Sequence, residues 1–192
     1  MEESINVKKT LKVLKNNGVV IIPTDTVPGI ATRYSNIAGL KRMMKIKGRS
    51  INKPFALLIG DISQISLIAS KLPPKAVSII NRYWPGGVTI ILPAKKGLPK
   101  YIVSEQGVGL RMPNHKPLLN MLKVLGEPIA ATSINISGEK PITDLSHLPA
   151  KFALSVDYVW ETQKKFRNVP STVVAVSENG IKIIRQGHVK IK

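Results

Sequence analysis

Four polar segments stand at the ends of apolar runs, and their residue types suit the binding of an anion. They span residues 23–30, 47–54, 131–138 and 170–174. Thr, Ser, Asn, Lys and Arg supply most of their polar side chains, and Asp25 is their one carboxylate. In α/β proteins, ligands bind at the ends of buried strands, where such segments meet. The sequence therefore predicts one polar site, with several cations, for a negatively charged ligand.

The cations with the clearest spacing are Lys47 and Arg49. They lie two residues apart just beyond the predicted end of a helix, and Lys53 follows closely. On a loop, the three side chains can converge on one ligand. Arginine offers a planar fork of donors and lysine a compact charge, and both suit phosphate oxygens. A K-x-R pair by itself is more often a solvated basic loop, so the phosphate interpretation depends on the other segments.

Ser133 and Asn135 follow an apolar run and are two residues apart. If this segment is extended, their side chains point to the same side and can contact one ligand. The alternative is an ordinary turn, in which both side chains form hydrogen bonds with the backbone.

A third group of polar residues suits an amino-acid ligand. Thr24 and Thr26 flank Asp25, whose carboxylate suits an amine or the capping of a loop. Arg111 ends the run Val-Gly-Leu-Arg and can bind a carboxylate through both arms of its guanidinium. A surface salt bridge is the alternative for Arg111, and Arg185 has the same ambiguity.

The elements that must position these residues follow from apolar periodicity and capping residues. An amphipathic helix is predicted between Ser4, as its N-cap, and Gly18. A second helix is predicted between Asn36, as its N-cap, and Gly48, which stops it. Its apolar face carries residues 37, 40, 43 and 44.

Alternation of helices and strands predicts the fold class. Asp61, with Gln64 three residues later, predicts a capping box for a helix that runs to Ser70. Two more helices are predicted at 75–83 and 118–125, and loops at 95–106 and 138–149. Strands are predicted at 19–22, 55–59, 88–92, 108–112, 129–132, 156–160, 172–176 and 181–185. This order is typical of an α/β fold with a mixed β-sheet flanked by helices.

Composition limits the class of protein. The 192 residues suit one domain, 1–192, and the absence of cysteine excludes disulfides, thiolate metal sites and a thiol nucleophile. No apolar run approaches the roughly 20 residues that span a bilayer, and no secretory signal is visible, so a soluble cytoplasmic protein is expected. The net charge of +18 favours polyanions such as RNA, or reflects a lysine-rich surface alone. The three histidines are too scattered to suggest a metal site.

Taken together, the polar segments match one family. The chain resembles the threonylcarbamoyl-AMP synthases (the YrdC-like family), whose motifs of the form PT-[DE]-TVYGL, K-x-R, W-P-G-x-x-T, R-x-P, S-x-N-x-S-G, P-S-T and I-x-R-x-G all occur here in family order. Two departures stand out. Pro28 replaces the usual tyrosine, which removes an aromatic ring and a backbone donor beside the threonine site. Gly87 replaces a common proline and loosens a turn.

The resemblance implies a fold and an activity. The fold is a twisted α/β sheet with a large, concave, positively charged cavity. The activity joins L-threonine, bicarbonate and ATP into threonylcarbamoyl-AMP and pyrophosphate, which makes the protein a nucleotidyltransferase. Its product feeds threonylcarbamoyladenosine (t6A) formation at position 37 of tRNA. Contacts with tRNA and with the threonylcarbamoyl-transferase machinery are implied as well. Mg²⁺ is expected as cofactor, held mainly by ATP phosphates and water.

The same resemblance implies residues for the nucleotide. Lys47 and Arg49 hold ATP phosphates, and Lys53 assists them. Arg185 and Thr143 contact the nucleotide. Catalysis is expected to be electrostatic and positional, without an evident general base.

Threonine is implied to lie beside a second set of residues. Thr26, Arg111 and Ser171 bind it, with Arg111 on its carboxylate. Ser133 and Asn135 lie between the two substrates, Ser133 nearer threonine and Asn135 nearer the nucleotide. The implied catalytic set is Lys47, Arg49, Ser133 and Asn135.

Two other readings of the sequence compete with this enzyme. One is a non-catalytic protein of the same fold that binds tRNA or rRNA through its positive charge. The other is a paralogue that uses ATP with a different amine, for which Pro28 is the only indication.

Overall fold

The centre of the molecule is a mixed sheet of ten strands in the part of the chain that the structure describes. This structure is a computed structural model that describes residues 2–163, 166, 169–177 and 180–191. The helices are α1 Glu2–Lys15, α2 Ile37–Lys47, α3 Ile65–Ile68, α4 Pro74–Tyr83, α5 Lys116–Leu125 and α6 Ala150–Ala153. The strands are β1 Val20–Ile22, β2 Gly29–Arg33, β3 Ala56–Leu58, β4 Val88–Leu92, β5 Val103–Ser104, β6 Gly107–Arg111, β7 Ile129–Ser133, β8 Tyr158–Val159, β9 Thr172–Ser177 and β10 Gly180–Arg185.

Strand order confirms the predicted class, an α/β fold with a mixed sheet. The order is β10-β9-β4-β6-β3-β7-β2-β1-β8, and the short β5 pairs with β6. The pairs β1–β8, β3–β6 and β4–β9 are parallel, and the others are antiparallel. The assignment of all 192 residues to one domain stays a prediction.

Local signals placed both ends of α2 and the C-terminal end of α5 where the sequence predicted them. The Asn36 side chain accepts from the Gly39 amide at the start of α2, and Gly48 closes that helix in the left-handed region, at φ 56°. Gly126 ends α5 in the same way. The Ser4 cap was wrong, because α1 begins at Glu2, and Glu2 and Glu3 favour the helix dipole there.

The capping box at Asp61 forms only in part. The Asp61 carboxylate accepts from the Ser63 amide, as an N-cap does. Gln64, however, accepts from the Gly60 amide and so does not complete the box. The predicted helix is therefore a 3₁₀ turn, Ile62–Gln64, followed by the single turn α3, which stops short of Ser70.

Several strand bounds also differ from the predictions. The strand predicted at 55–59 is the shorter β3, and the one predicted at 156–160 is the two-residue β8. The predicted loop at 95–106 contains β5, and the one at 138–149 contains a 3₁₀ turn, Leu145–His147.

The two faces of the sheet are covered unequally, and this creates the cavity. The first face carries large apolar residues along its length and packs against α2, α3 and α4. On the second face, α1 and α5 cover the half that contains β1, β2 and β7. Over β6, β4 and β9, the second face instead carries Gly107, Gly109, Thr89, Ile91 and Val173, which line an open cavity. Small residues there leave room for a ligand.

A one-residue bulge in β10 decides which face Arg185 occupies. Ile183 lies opposite Val174, but Arg185 lies opposite Val173, so Ile184 is the extra residue. Val174 belongs to the core of the first face, whereas Val173 lines the cavity on the second. Residues opposite each other in an antiparallel pair share a face, so the bulge turns Arg185 towards the cavity.

No helix among the described residues is long and apolar enough to cross a bilayer.

Candidate active site

The open half of the second face forms a cavity of about 270 Å³ with a basic wall. Arg49, Arg111 and Arg185 line it, and no Asp or Glu does so among the described residues. Burial lowers the pKa of Arg49 and of Arg185. The charge of a neighbouring arginine lowers each pKa further, that of Arg185 for Arg49 and that of Arg111 for Arg185. The mutual repulsion of these cations favours the binding of an anion between them.

Arg111, at the end of β6, is the most constrained of the three arginines. Its residue exposure is 6%. Nε donates to the Gly86 carbonyl at 2.9 Å, and the two terminal nitrogens donate to Thr26 Oγ1 at 2.8 Å and Asp25 Oδ1 at 2.6 Å. Three of its five N–H groups are thus used, and two remain without a partner among these contacts. Burial lowers the pKa of Arg111, and Asp25 opposes that shift.

The ion pair with Asp25 settles one alternative from the sequence. Arg111 is neither a surface residue nor in a solvated salt bridge, because the side chains of Arg111 and Asp25 are 7% and 15% exposed. Asp25 Oδ1 accepts from the Arg111 guanidinium, and Asp25 does not line the cavity. Its role is to hold the cation at the cavity wall.

The Thr24–Thr26 turn is oriented by a chain of hydroxyl groups. Thr24 Oγ1 donates to the Val27 carbonyl at 2.8 Å, which uses its only proton. It therefore accepts from the Thr26 amide at 3.0 Å and from the Thr26 hydroxyl at 3.2 Å. Thr26 in turn accepts from Arg111, so the turn and the arginine are positioned together. Pro28 is buried and does not line the cavity, whereas Val27 and Gly29 do.

Arg185, at the end of β10, is held at the cavity wall through Ser171. Its Nε and one terminal nitrogen donate to the Ser171 carbonyl at 3.2 and 2.9 Å, and that terminal nitrogen also reaches Ser171 Oγ at 3.2 Å. The Ser171 hydroxyl lies 2.9 Å from that of Thr89 in β4. Thr89 was not predicted as a site residue, although it is the only hydroxyl in the apolar run of β4 and that was a usable signal.

Lys47 lies behind the cavity wall and not on a loop. It is the last residue of α2, which corrects the prediction that it follows the helix. It is 1% exposed, and Nζ donates to the carbonyls of Ser133 and Asn135 at 2.5 and 2.9 Å and to Asn135 Oδ1 at 2.7 Å. Its own carbonyl accepts from the Ser137 amide at 2.9 Å. Lys47 and Asn135 therefore support the cavity without lining it.

Arg49 reaches the cavity from the loop after α2. Nε donates to the Lys53 carbonyl at 2.5 Å, and a terminal nitrogen donates to the Pro54 carbonyl at 3.0 Å. The guanidinium carbon lies 5.4 Å from the centre of the Phe55 ring, which is cation–π distance. These contacts hold the cation where the loop meets β3.

The structure brings most of the predicted site residues together. Those that line the cavity are Thr26, Arg49, Arg111, Ser133, Ser171 and Arg185. Lys53 is exposed and contributes its carbonyl to Arg49, and the carbonyl of Thr143 accepts from the Phe166 amide. Neither side chain lines the cavity, so the nucleotide contacts of Lys53 and Thr143 stay predictions. Other lining residues, to which the sequence analysis assigned no site role, include Phe55, Thr89, Gly109 and Thr132.

Among the described residues, no three or more His, Cys, Asp or Glu side chains are grouped so that they could hold a metal ion.

The buried ammonium of Lys47 gives a prediction about pH. Burial, and secondly the charge of Arg49, lower the pKa of Lys47 from 10.5 to about 8. Between these values the unfolded chain binds more protons than the folded chain, so the free energy of unfolding should rise with pH. The penalty of the buried charge applies fully below pH 8 and disappears as pH rises to 10.5. Urea unfolding from pH 7.5 to 10 should show this rise, at no more than about 1.4 kcal/mol per pH unit.

The control for this prediction is a pair of variants on α2. Lys47→Met should lack the rise, and Lys45→Met removes an exposed ammonium from the same helix for comparison. Parallel curves for the unchanged protein and Lys47→Met over this range would mean that the pKa of Lys47 is not lowered.

Comparison with known proteins shows which family the chain is similar to. The family described as "Telomere recombination", which groups Sua5, YciO and YrdC proteins, matches residues 12–187. A putative threonylcarbamoyl-AMP synthase of Methanocaldococcus jannaschii is 33% identical over 189 residues, 96% of this chain and 89% of the relative. The threonylcarbamoyl-AMP synthase of Bacillus subtilis is 32% identical over 176 residues, 91% of this chain.

A solved structure has a fold similar to that of this chain. The chain superposes on P. abyssi Sua5 in complex with L-threonine with a TM-score of 0.86, at 28% identity and over 94% of this chain. The chain spans about half the length of the B. subtilis and P. abyssi proteins, at 51% and 54%.

Proposed function

Because this chain belongs to the Sua5/YciO/YrdC family, we propose that it makes threonylcarbamoyl-AMP from L-threonine, bicarbonate and ATP and releases pyrophosphate. This reaction would make it a nucleotidyltransferase within the broader class of transferases. The observation that carries the proposal is the cavity itself, which joins three arginines with a group of hydroxyls and has no carboxylate in its described lining. Such a lining suits an anionic nucleotide and an amino acid together.

Threonine is proposed to bind at the Arg111 end of the cavity. The two N–H groups of Arg111 that remain can take its carboxylate in a bidentate manner. Thr26, Ser133 and Ser171 supply hydroxyls around this point and line the cavity. The L-threonine in the P. abyssi Sua5 structure supports an amino-acid site in this fold.

The triphosphate is proposed to lie between Arg49 and Arg185. Both side chains are held by backbone carbonyls, so their positive charge is fixed in place before the ligand arrives. The resemblance also gives nucleotide contacts to Lys47, Asn135, Lys53 and Thr143, whose side chains lie outside the cavity lining here. For these four residues, a direct contact requires a rearrangement on binding.

The proposed chemistry needs positioning and charge neutralisation. The threonine amine attacks bicarbonate carbon and water leaves, which gives a carbamate. A carbamate oxygen then attacks the α-phosphate, and pyrophosphate leaves with the bonding electrons. Both reactants are anionic, so the fixed arginines lower the barrier by reducing their repulsion. Mg²⁺, held mainly by ATP phosphates, would neutralise further charge.

A second candidate is favoured by a separate observation, the net charge of +18. A protein with this charge attracts RNA, so a tRNA- or rRNA-binding protein on the same fold is the alternative. The two activities are compatible, since an enzyme that supplies t6A formation would work near tRNA and its threonylcarbamoyl-transferase machinery. Both proposals locate the protein in the cytoplasm.

Turnover of the purified protein tests the proposal. With ATP, MgCl₂ and bicarbonate, we expect pyrophosphate release to require L-threonine, and mass spectrometry to detect threonylcarbamoyl-AMP. Replacing L-threonine with L-serine in the assay tests the hypothesis, suggested by Pro28, that the protein is a paralogue that uses a different amine. No turnover by a folded protein that still binds tRNA, with an affinity that falls steeply with salt, would favour the RNA-binding protein.

A further inference from the structure

The hydrogen bonds around residues 133–135 have directions that follow from chemistry alone. An ammonium group only donates, and it has three protons. Lys47 Nζ has three acceptors within 2.9 Å, namely the carbonyls of Ser133 and Asn135 and the amide oxygen Asn135 Oδ1. All of its protons are therefore used inside the protein.

The amide of Asn135 is oriented by this ammonium. Its Nδ2 donates to the carbonyls of Ile136 at 2.8 Å and Glu139 at 2.9 Å. Its Oδ1 faces Lys47. A flipped amide would place Nδ2 against the ammonium and Oδ1 against two carbonyls, so the hydrogen-bond network admits one orientation.

The orientation of Asn135 then fixes the hydroxyl of Ser133. Ser133 Oγ lies 2.6 Å from Asn135 Oδ1, and an amide oxygen only accepts, so the serine must donate. A serine hydroxyl has a single proton. Ser133 lines the cavity, and with its proton directed at Asn135 it presents only lone pairs to a ligand.

We propose that Lys47 is a positioning residue which, through Asn135, makes the Ser133 hydroxyl an acceptor for the N–H of threonine and of its carbamate. This inference rests on the proposed function and assigns a chemical role within it. The cavity wall at Ser133 selects a ligand that carries an N–H donor at this point. A hydroxy acid without the amine loses that hydrogen bond.

The same contacts argue against Lys47 as a direct phosphate ligand in this arrangement. Its side chain is buried and outside the cavity lining, and every proton already has an acceptor. A phosphate oxygen could bind Nζ only after one of those three bonds had broken. Arg49, two residues later, does line the cavity and is the phosphate-facing member of the K-x-R pair.

Equilibrium binding without turnover tests the proposal. Titration calorimetry measures the affinities of L-threonine and of 3-hydroxybutanoate, which lacks the amine, for the unchanged protein and three variants. Lys47→Met and Ser133→Ala should each weaken threonine binding about tenfold, the effect of one hydrogen bond. The double variant should bind no more weakly than the weaker single variant, because Lys47 acts through Ser133. Preference for threonine over 3-hydroxybutanoate should fall in all three variants.

A merely structural role for Lys47 would weaken both ligands alike and leave that preference unchanged, which would overturn the proposal. Multiplicative losses in the double variant would overturn it too. The proposal would also be overturned if Lys47→Met bound a non-hydrolysable ATP analogue ten times more weakly while its affinity for threonine stayed unchanged. Lys45→Met, an exposed change on the same helix, is the control, and should bind both ligands as the unchanged protein does.

If Lys47→Met does not fold, the same binding measurements can be made on Lys47→Gln, because the glutamine side chain keeps two N–H donors. Its loss of preference should be smaller than that of Ser133→Ala. An increase in preference, or none of the expected loss, would contradict the proposal. Threonine binding and synthase turnover are measured separately, so a failure of this proposal and a failure of the proposed function give different results.

Discussion

Replacing Arg111 by glutamine should abolish threonine-dependent turnover and lower the free energy of unfolding by about 3–5 kcal/mol. The change removes the cation proposed to hold the threonine carboxylate. It also leaves Asp25 as a nearly buried carboxylate without its partner, since the two side chains are 7% and 15% exposed. In addition, the contacts that join β6 to Gly86 and Thr26 are lost. Urea unfolding and the turnover assay measure the two effects.

Two further variants separate charge from packing. Arg111→Met combined with Asp25→Asn removes both charges, so it should recover part of the lost stability and remain inactive. Arg33→Gln breaks a more exposed ion pair with Glu127, remote from the cavity lining. It should cost about 1 kcal/mol or less and leave turnover intact. An active double variant would show that the threonine carboxylate binds elsewhere.

Replacing Gly109 by leucine should abolish ligand binding while the protein remains folded. Gly109 lies on the cavity face of β6, opposite Ile91 of β4. A Cβ atom there would meet Thr89 and Ala56 at 3.4 and 3.7 Å, which are ordinary contacts, so the backbone needs no adjustment. The rest of a leucine side chain would fill part of a cavity of about 270 Å³. Calorimetry with threonine and with an ATP analogue should show losses of at least about 100-fold, roughly 3 kcal/mol.

A graded series tests whether volume is the cause. Gly109→Ala should retain most binding, Gly109→Val less and Gly109→Leu none, with melting temperatures equal to or above that of the unchanged protein. Glycine is a poor strand residue, so each substitution should favour the folded strand. Equal binding across the series would mean that the ligand does not lie over β6.

Local features were readable from the sequence because their causes lie within a few residues. Asn36 and Gly48 set the ends of α2 by a side-chain cap and a left-handed residue, and Gly126 ends α5 in the same way. The class of the fold followed from the alternation of helices and strands. Where a competing local bond existed, the prediction failed, as at Gln64, which bonds to Gly60 instead of completing a capping box.

The composition of the site was readable, but its arrangement was not. The types of Arg111, Ser133 and Ser171 suited their places in the cavity. The partner of Arg111 is Asp25, 86 residues away in the chain, and no local pattern reports such a pairing. From the sequence, Lys47 was interpreted as a phosphate ligand on a loop. Only the packing of α2 against residues 133–137 shows that its ammonium protons donate to acceptors inside the protein.

Arg185 is the clearest case of information that periodicity does not contain. Regular alternation would place Ile181, Ile183 and Arg185 on one face of β10. The bulge at Ile184 moves Arg185 to the other face, opposite Val173. A bulge depends on how two strands fit, so the run Ile-Lys-Ile-Ile-Arg does not reveal it.

The bulge also affects how this protein behaves at high concentration. β10 is the outer edge of the sheet, and its Ile181, Ile183 and Ile184 are 41–47% exposed. A straight apolar edge of six residues is a template on which a strand of another molecule can add, and such addition leads to aggregation. The extra residue breaks the regular hydrogen-bond ladder and bends the edge, and Lys182 places a charge beside it. The irregularity that brings a cation into the cavity therefore also protects the sheet from pairing edge to edge with the sheet of another molecule.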